Sequence, residues 1–340
     1  MRRVTFRRGF VRLALAAIVV GAMAAGGLTT ASAAGDQLAQ SSGEKVYRIG
    51  FHLWKPGKIY DEAMDGIRDG LELEGIRYEE VVLHSDRDKE LAAVNLRKLD
   101  EMDLDVIYSL SSAGTKIAKR LQLKTPVIAT VINHPASLGV GQDDAGSGTR
   151  LTGTSYYIDA SKQLQLYRAL FPKAAKVGMI FDKNNPAGAL AEEPFMRKAC
   201  ESSGLAFVSV GITDKTELRA AAAQLVEAGV DMIVVPTNKL VYGNLQTVFE
   251  VTASHRVPVV SMNKQGVEAG ALAALYGDTY NLGRQAATMA KQILTQGAET
   301  IEIAFQYIPD PDVILNLSSA SQLDFEIPAE VLSSAAIVMQ

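Results

Sequence analysis

The strongest constraint on the fold is an alternation of strand-like and helix-like segments that begins near Val46 and continues almost to the end of the chain. Short apolar runs at residues 46–53 and 105–110 predict buried strands. Between such runs, apolar side chains recur at helical spacing, as they do on one face of residues 60–71. Apolar strands that alternate with amphipathic helices are typical of a parallel sheet covered on both faces. The sequence therefore predicts an α/β fold with doubly wound parallel sheets.

The pattern occurs twice along the chain. A second series of strands and helices follows a loop rich in Pro, Gly, Asp and Ser at residues 134–149. In both halves, at residues 104–112 and 230–238, an acidic residue opens an apolar run that ends in a polar loop. Pro126 and Pro258 then open the next strand of each half. The echo indicates one topology used twice, although any two doubly wound segments share part of this pattern. We therefore predict two lobes.

The N-terminus carries the features of an export signal. Residues 1–12 hold five arginines and no acid, and an uncharged apolar run and a small-x-small site ending at Ala33 follow. This order predicts a cleaved signal peptide over residues 1–33, followed by a flexible leader at 34–44. A membrane anchor is the alternative, but the apolar run is shorter than the ~20 residues of a spanning helix. Arg7 and Arg8 also resemble a twin-arginine motif, so export to the periplasm by the Sec route and by the twin-arginine route both stay open. After cleavage we expect no stable insertion of the protein into the membrane.

Composition and missing motifs exclude several functions. Without residues 1–33, 29 Lys and Arg face 38 Asp and Glu, so the net charge of the remaining chain is −9. We expect no nucleic-acid partner, because an acidic protein is repelled by the phosphate backbone. The single cysteine, Cys200, cannot form an internal disulfide, and the four histidines lack the spacing of metal ligands. The sequence carries no hydrolase, zinc-protease or phosphate-loop motif, so it predicts neither an enzyme nor a metal or other cofactor.

Polar and aromatic residues gather in the loops that follow the predicted strands. If the carboxyl edges of both sheets face each other, these loops line one cleft that can bind a small molecule. The candidate ligand-binding residues are Trp54, Lys55, Ser111, Ser112, Asn133, Tyr156, Tyr157, Asn184, Thr237, Asn238, Asn263 and Asp278.

Each candidate also has a purely structural interpretation. Ser111, Ser112, Thr237 and Asp278 can cap helices, and Trp54 can pack within its own loop. The lysines can be solvated surface charges. The two neighbouring tyrosines cannot both face the cleft if they lie on a strand, because successive side chains point to opposite faces. The helix starts near Gly114 and Leu240 could hold a ligand carboxylate.

Several motifs resemble those of the ABC transporter substrate-binding proteins of the tryptophan/tyrosine type. They run from residues 235–239 (Val-Pro-Thr-Asn-Lys) through 257–261 (Val-Pro-Val-Val-Ser) to 270–276 and 280–285, with further support from residues 177–181. The resemblance extends from about residue 46 to residue 332. It implies a type I periplasmic-binding fold and a receptor that closes about a hinge on a small organic ligand. It also implies an ABC permease and an ATPase on separate chains, and a monomeric receptor.

Two departures bear on the ligand. In the first loop, the family usually has His-Pro followed by two residues and then Asp. Here Lys55-Pro56 is followed by four residues before Asp61, so the loop is longer. The family's loop after the Val-Pro strand often carries aspartates that could meet an amino group. Here that loop, residues 261–264, has no acid. The resemblance implies an amino acid, while another aromatic, acidic or uncharged ligand stays open.

The resemblance also divides the chain. It implies crossings between lobes near residues 152–154, 275–278 and 309–312. The N-terminal lobe would comprise residues 45–153 and 278–310, and the C-terminal lobe residues 154–277 and 311–340. Three other functions stay open: a sensory binding protein that reports its ligand to a membrane receptor, a secreted α/β enzyme, and a sugar-binding regulator of the same fold.

Overall fold

The computed structural model describes residues 45–139 and 151–340. The predicted signal peptide and leader therefore lie outside the described residues. The strands are β1 (Val46–Leu53), β2 (Arg77–His84), β3 (Val106–Leu110), β4 (Val127–Ile132), β5 (Leu151–Ser155), β6 (Lys176–Asp182), β7 (Ala206–Ile212), β8 (Met232–Val235), β9 (Val259–Ser261), β10 (Ala273–Tyr276), β11 (Gln306–Tyr307), β12 (Asp312–Asn316) and β13 (Ala335–Met339). The helices are α1 (Lys58–Leu73), α2 (Lys89–Asp100), α3 (Ser112–Leu121), α4 (Ala160–Leu170), α5 (Glu193–Ser202), α6 (Leu218–Glu227), α7 (Lys239–Tyr242), α8 (Leu245–Thr252), α9 (Lys264–Glu268), α10 (Thr279–Gln296), α11 (Leu317–Gln322) and α12 (Ala329–Ser334).

The strands form two layered units. In the first lobe, parallel strands are ordered β11-β5-β4-β3-β1-β2. In the second lobe, a parallel sheet β7-β6-β8-β9 stands beside a sheet β10-β12-β13, in which β10 and β12 are antiparallel. The N–H of Leu272 donates to the Val259 carbonyl over 2.8 Å and joins these two sheets. The predicted α/β class is confirmed.

Helices cover both faces of the first sheet, which explains why its central strands read as continuous apolar runs. All residues of β3 and β4 are buried. On one face, Phe51 and Tyr108 stack with ring centroids 5.2 Å apart, in a core shared with α1 and α10. On the other face, Ile107 packs with Leu99 of α2 and Ile117 of α3. Two buried faces leave the strand ends as the places where polar side chains can act.

The acidic residues that open corresponding strands make corresponding hydrogen bonds. The Asp105 carboxylate accepts the N–H of Arg48 over 2.7 Å, and its own N–H donates to the Arg48 carbonyl. The Asp231 carboxylate accepts the N–H groups of Ala175 and Lys176 over 2.7 and 2.8 Å. Each acid therefore ties the start of its strand to the start of the preceding central strand.

The two repeated prolines also occupy matching places. The Pro126 carbonyl accepts the N–H of Ile107, and the Pro258 carbonyl accepts that of Ile233, each over 2.9 Å. Proline can open these strands because its carbonyl joins the ladder although it has no N–H to donate. The two halves of the chain thus share local hydrogen bonding as well as sequence pattern.

The chain passes between the lobes at three places. It leaves β5 of the first lobe and enters α4 of the second through residues 156–159, returns between β10 and α10 at residues 277–278, and passes from β11 to β12 through residues 308–311. Residues 152–154, where the sequence places the first crossing, lie within β5. Three crossings at one side of the lobes are the arrangement expected of a hinge.

Candidate functional site

The loops at the carboxyl ends of β4, β6 and β8 meet between the lobes. Asn133 follows β4 of the first lobe, and Thr237 follows β8 of the second. The Asn133 Nδ2 donates to Thr237 Oγ1 over 2.5 Å and lies 3.4 Å from Oε1 of Glu192. The Thr237 hydroxyl donates to the same Glu192 oxygen. These three side chains, named here the interlobe cluster, connect the lobes directly.

Glu192 is the charged member of the interlobe cluster. It ends a π-helical turn, Gly188–Glu192, that leads into α5, and its exposed fraction is 0%. π-helical turns are rare and often occur at functional positions. Burial raises the pKa of Glu192, while hydrogen bonds from Thr237 and Asn133 act in the opposite direction. The fold thus holds a carboxyl group inside the cleft rather than at the surface.

Tyr156 lies beside the cluster, at the start of the first crossing. Its ring packs against the cores of both lobes. Burial raises the pKa of Tyr156, and the charges of Glu192, Tyr60 and Tyr242 raise it further, while a hydrogen bond from Asn133 lowers it. Tyr60 lies in α1 and Tyr242 in α7, so tyrosines from both lobes lie near Tyr156.

Tyr157 takes the opposite direction from its neighbour, as the alternation of an extended chain requires. Its side chain is buried among aromatic rings, with the ring centroids 4.4 Å from His134 and 6.1 Å from Phe195. Of the two adjacent tyrosines, the structure places Tyr156 beside the interlobe cluster and Tyr157 in the core behind it.

The two predicted serines hold the first-lobe loops in place. Ser111 Oγ accepts the N–H of Gly114 over 3.0 Å and caps α3, and Ser112 Oγ accepts the N–H of Asn133 over 3.2 Å. Ser111 and Val131 adopt φ angles of 129° and 59°. Such angles are unfavourable for residues with a side chain, above all for a β-branched one, and they concentrate at functional sites. The strain therefore lies at the edge that carries Asn133.

Lys55 and Trp54 follow β1 on the same side of the first lobe. Burial lowers the pKa of Lys55, and the positive charges of Arg87 and of Lys239 lower it further. Lys239 opens α7 of the second lobe, so a cation of the second lobe acts on the charge of Lys55 in the first. Trp54 is half-buried and packs against the first-lobe core that contains Leu99.

The remaining candidates bind to neighbouring loops and helix starts. Asn238 caps α7 and donates from Nδ2 to Asp182 over 3.1 Å, and Asn263 caps α9. The exposed Asn184 donates its N–H to Asp182. Asp278 caps α10 and lines a surface groove of about 440 Å³ between α1 and α10. The structure does not place Asn184, Asn263 or Asp278 in the interlobe cluster.

Sequence reasoning missed Glu192, Tyr60 and Tyr242. Glu192 stands next to Glu193 at the start of a helical pattern, where two adjacent acids indicate a solvated first turn. The sequence pattern places Tyr60 on the apolar face of a helix and Tyr242 in the interior of another predicted helix. A weak signal was present, because Gly188 and three alanines around a single leucine break the helical periodicity just before Glu192.

The buried histidines lead to a prediction about acid stability. Burial lowers the pKa of both His52 and His134 from 6.5 to about 4. Their neutral forms therefore stabilise the fold fully above pH 6.5, and each contribution, up to about 3 kcal/mol, is lost as the pH falls towards 4. We expect urea denaturation at pH 4.5 and 7.5 to show a smaller acid loss in His52→Asn than in the parent. The exposed His255→Asn is the control, and an unchanged acid loss in His52→Asn would contradict the assignment.

Within the ranges described, no group of three or more His, Cys, Asp or Glu side chains could hold a metal ion. A search of the same part of the chain found no helix long and apolar enough to span a membrane.

Comparison with known proteins gives the same architecture. The family described as ABC transporter substrate binding protein matches residues 56–339. A tyrosine-binding protein of Clostridioides difficile (strain R20291) is 26% identical over 222 residues, which cover 65% of this chain and 64% of that protein's length. The aligned region thus spans just under two thirds of this relative.

Two solved structures share the fold. The ligand-free, open structure of a substrate binding protein with adhesive properties from Clostridium difficile aligns with a TM-score of 0.76 and 23% identity, over 87% of this chain and 100% of that one. The ABC domain in complex with L-Trp from Streptococcus pneumonia aligns with a TM-score of 0.70 and 22% identity, over the same shares.

These matches confirm the predicted type I periplasmic-binding fold and the predicted family. Proteins of this family bind small ligands and work with ABC permeases, and they are not enzymes. With 56–339 matched in a chain of 340 residues, this protein belongs to the family of ABC transporter substrate-binding proteins.

Proposed function

We propose that this protein is the periplasmic receptor of an ABC importer and that it binds an aromatic amino acid between its lobes. The observation that supports the proposal most strongly is the interlobe cluster of Asn133, Glu192 and Thr237, which contains side chains of both lobes. Tyr156 lies beside this cluster, with Tyr60 and Tyr242 near Tyr156. Flat rings around a few fixed polar groups are typical of a site for a small aromatic ligand.

Similarity adds support for this ligand class. The relative from Clostridioides difficile is a tyrosine-binding protein, and one structural neighbour was solved with L-Trp. The positive charges of Lys55 and Lys239, from different lobes, repel each other, and a ligand carboxylate bound between them would relieve this repulsion. The capped start of α3 at Ser111 and Ser112 is a second place for that carboxylate.

The lobe arrangement supports binding by hinge closure. The division proposed from the sequence, residues 45–153 with 278–310 and residues 154–277 with 311–340, is shifted at its first boundary, because β5 belongs to the first-lobe sheet as far as Ser155. Three connecting segments then join the lobes. Because the interlobe cluster contains side chains of both lobes, a ligand bound there has more contacts in the closed form and shifts the population towards it. We propose that residues 1–33 direct export, that an ATPase on a separate chain drives the permease, and that the receptor acts as a monomer.

A thermal-shift screen of residues 34–340 tests the function. A ligand that binds only the folded state raises Tm. At a concentration of 100 times its Kd, it increases the free energy of unfolding by about 2.7 kcal/mol. We expect a saturable rise with L-tyrosine or L-tryptophan and none with sugars or nucleosides. A rise confined to sugars would contradict the proposed ligand class. Uptake of the same amino acid by cells with and without the gene then separates import from sensing, because a sensory protein would leave uptake unchanged.

A further inference from the structure

Two oxygens at the centre of the interlobe cluster have no hydrogen-bond donor among the described residues. They are Glu192 Oε2 and Asn133 Oδ1. Nearly all buried polar atoms in folded proteins find a partner, and one that does not destabilises the fold. Both atoms are acceptors, and the fully buried Glu192 offers a carboxylate oxygen. Among the described residues the cluster lacks a donor at this place, which marks the two oxygens as a place where a bound group can donate.

The other carboxylate oxygen is already satisfied. Glu192 Oε1 accepts the Thr237 hydroxyl, the Thr237 N–H and the Asn133 amide. These neutral donors orient the carboxyl group without neutralising its charge. Without a cation nearby in the described part of the chain, burial raises the pKa of this carboxyl group, so a cation that binds here both pairs with the charge and stabilises the ionised form. The complement of the two unpaired oxygens is therefore a cationic N–H donor.

Asp182, the acid at the end of β6, already has hydrogen-bond partners on both carboxylate oxygens. Asp182 accepts the N–H of Asn184 and the amide of Asn238, over 2.8 and 3.1 Å. The loop after β9, residues 261–264, contains no acid, and its Asn263 caps α9. Glu192 thus offers what this loop does not: a carboxylate in the cleft with one oxygen still to be paired.

We propose that Glu192 and Asn133 form a subsite for the ammonium group of the ligand, which restricts the ligand to primary amines such as α-amino acids. The inference rests on the proposed function, because it takes the interlobe cleft as the binding site. It goes further by separating aromatic amino acids from aromatic acids that have no amine. Two acceptors, one of them charged, match two of the three N–H donors of an ammonium group.

Calorimetric titrations of the parent protein at pH 7.5 test the subsite without any mutation. The probes are L-tyrosine, L-tryptophan and their counterparts without the amine, 3-(4-hydroxyphenyl)propionate and indole-3-propionate. We expect the amino acids to bind at least about 30-fold more tightly, since removal of one partner of a buried charge pair has an effect of this size or larger. Equal affinity for both members of a pair would overturn the subsite while leaving an aromatic ligand in place.

A variant pair assigns the effect to Glu192. Glu192→Gln keeps the shape and removes the charge, and the ratio of its affinities for each amino acid and the matching propionate should fall to near 1. Glu201→Gln, at an exposed position of α5, should keep the preference. A preference that persists in a folded Glu192→Gln protein would overturn the assignment. If no aromatic compound binds the parent, the aromatic part of the proposed function fails. The subsite is then tested by comparing the affinity for L-leucine with that for 4-methylpentanoate, which lacks the amine. If no amine binds in either series, the subsite fails as well.

Discussion

Gly283→Ala is expected to destabilise the protein by about 3 kcal/mol, although alanine normally stabilises a helix interior by up to about 1 kcal/mol over glycine. Gly283 lies where α10 crosses α1. A Cβ atom there would stand 2.1 Å from the Ala63 carbonyl oxygen and 2.9 Å from the Ile67 nitrogen. Both contacts are with backbone, so no side-chain rotation can relieve them, and the two helices would have to move apart.

The same crossing is close from the other side. A Cβ atom on Gly66 of α1 would stand 2.0 Å from the Tyr280 carbonyl oxygen. Urea denaturation followed by circular dichroism measures the free energy of unfolding of Gly283→Ala against the parent. Gln296→Ala, at an exposed position of α10, is the control and should stay within about 0.5 kcal/mol. A Gly283→Ala protein as stable as the parent would show that the helices are not packed this closely.

Tyr156→Ala is expected to weaken ligand binding by about 2 kcal/mol or more, roughly 30-fold, because a central aromatic side chain is a typical source of binding energy. Tyr156→Phe keeps the ring and loses only the hydroxyl beside Asn133, so a loss near 1 kcal/mol is expected. Titration with the amino acid that gives the largest thermal shift provides both values.

A tyrosine outside the cleft provides the control for this series. Tyr280 donates its hydroxyl to Asp69 over 2.8 Å on the outer side of the first lobe, so Tyr280→Ala should leave affinity unchanged. Because Tyr156 packs against both cores, the folded state of each variant is checked by circular dichroism before titration. Parent-like affinity in a folded Tyr156→Ala protein would remove Tyr156 from the site.

The fold could be predicted from local patterns because each lobe repeats the same order of strand, loop and helix. Buried strands and amphipathic helices have characteristic spacings of apolar residues, and these spacings do not depend on distant parts of the chain. The limits of that approach appear at residues 240–254, where the apolar spacing of the sequence predicts a single helix. The structure divides them into α7 and α8 around Gly243 and Asn244, a change of direction that helical spacing does not reveal.

The candidate site was only partly predictable, since many of its residues have two roles. Asn133, Thr237 and Tyr156 were predicted from their positions after strands, and the structure brings them together. Asn263 and Asp278 follow strands in the same way, yet they cap helices. Position after a strand predicts which edge of a sheet a side chain occupies, and it does not say which neighbour the side chain reaches.

The sequence by itself determined the α/β class, the two halves and the family, because these depend on periodicities and motifs read along the chain. Only the tertiary structure decided the centre of the cleft. Glu192 and Asn133 are 59 residues apart and lie in different lobes, so their contact exists only after both sheets have formed and packed. Burial then gives Glu192 its chemical character, since the same carboxyl group in a solvated helix turn would have no unpaired oxygen inside the protein.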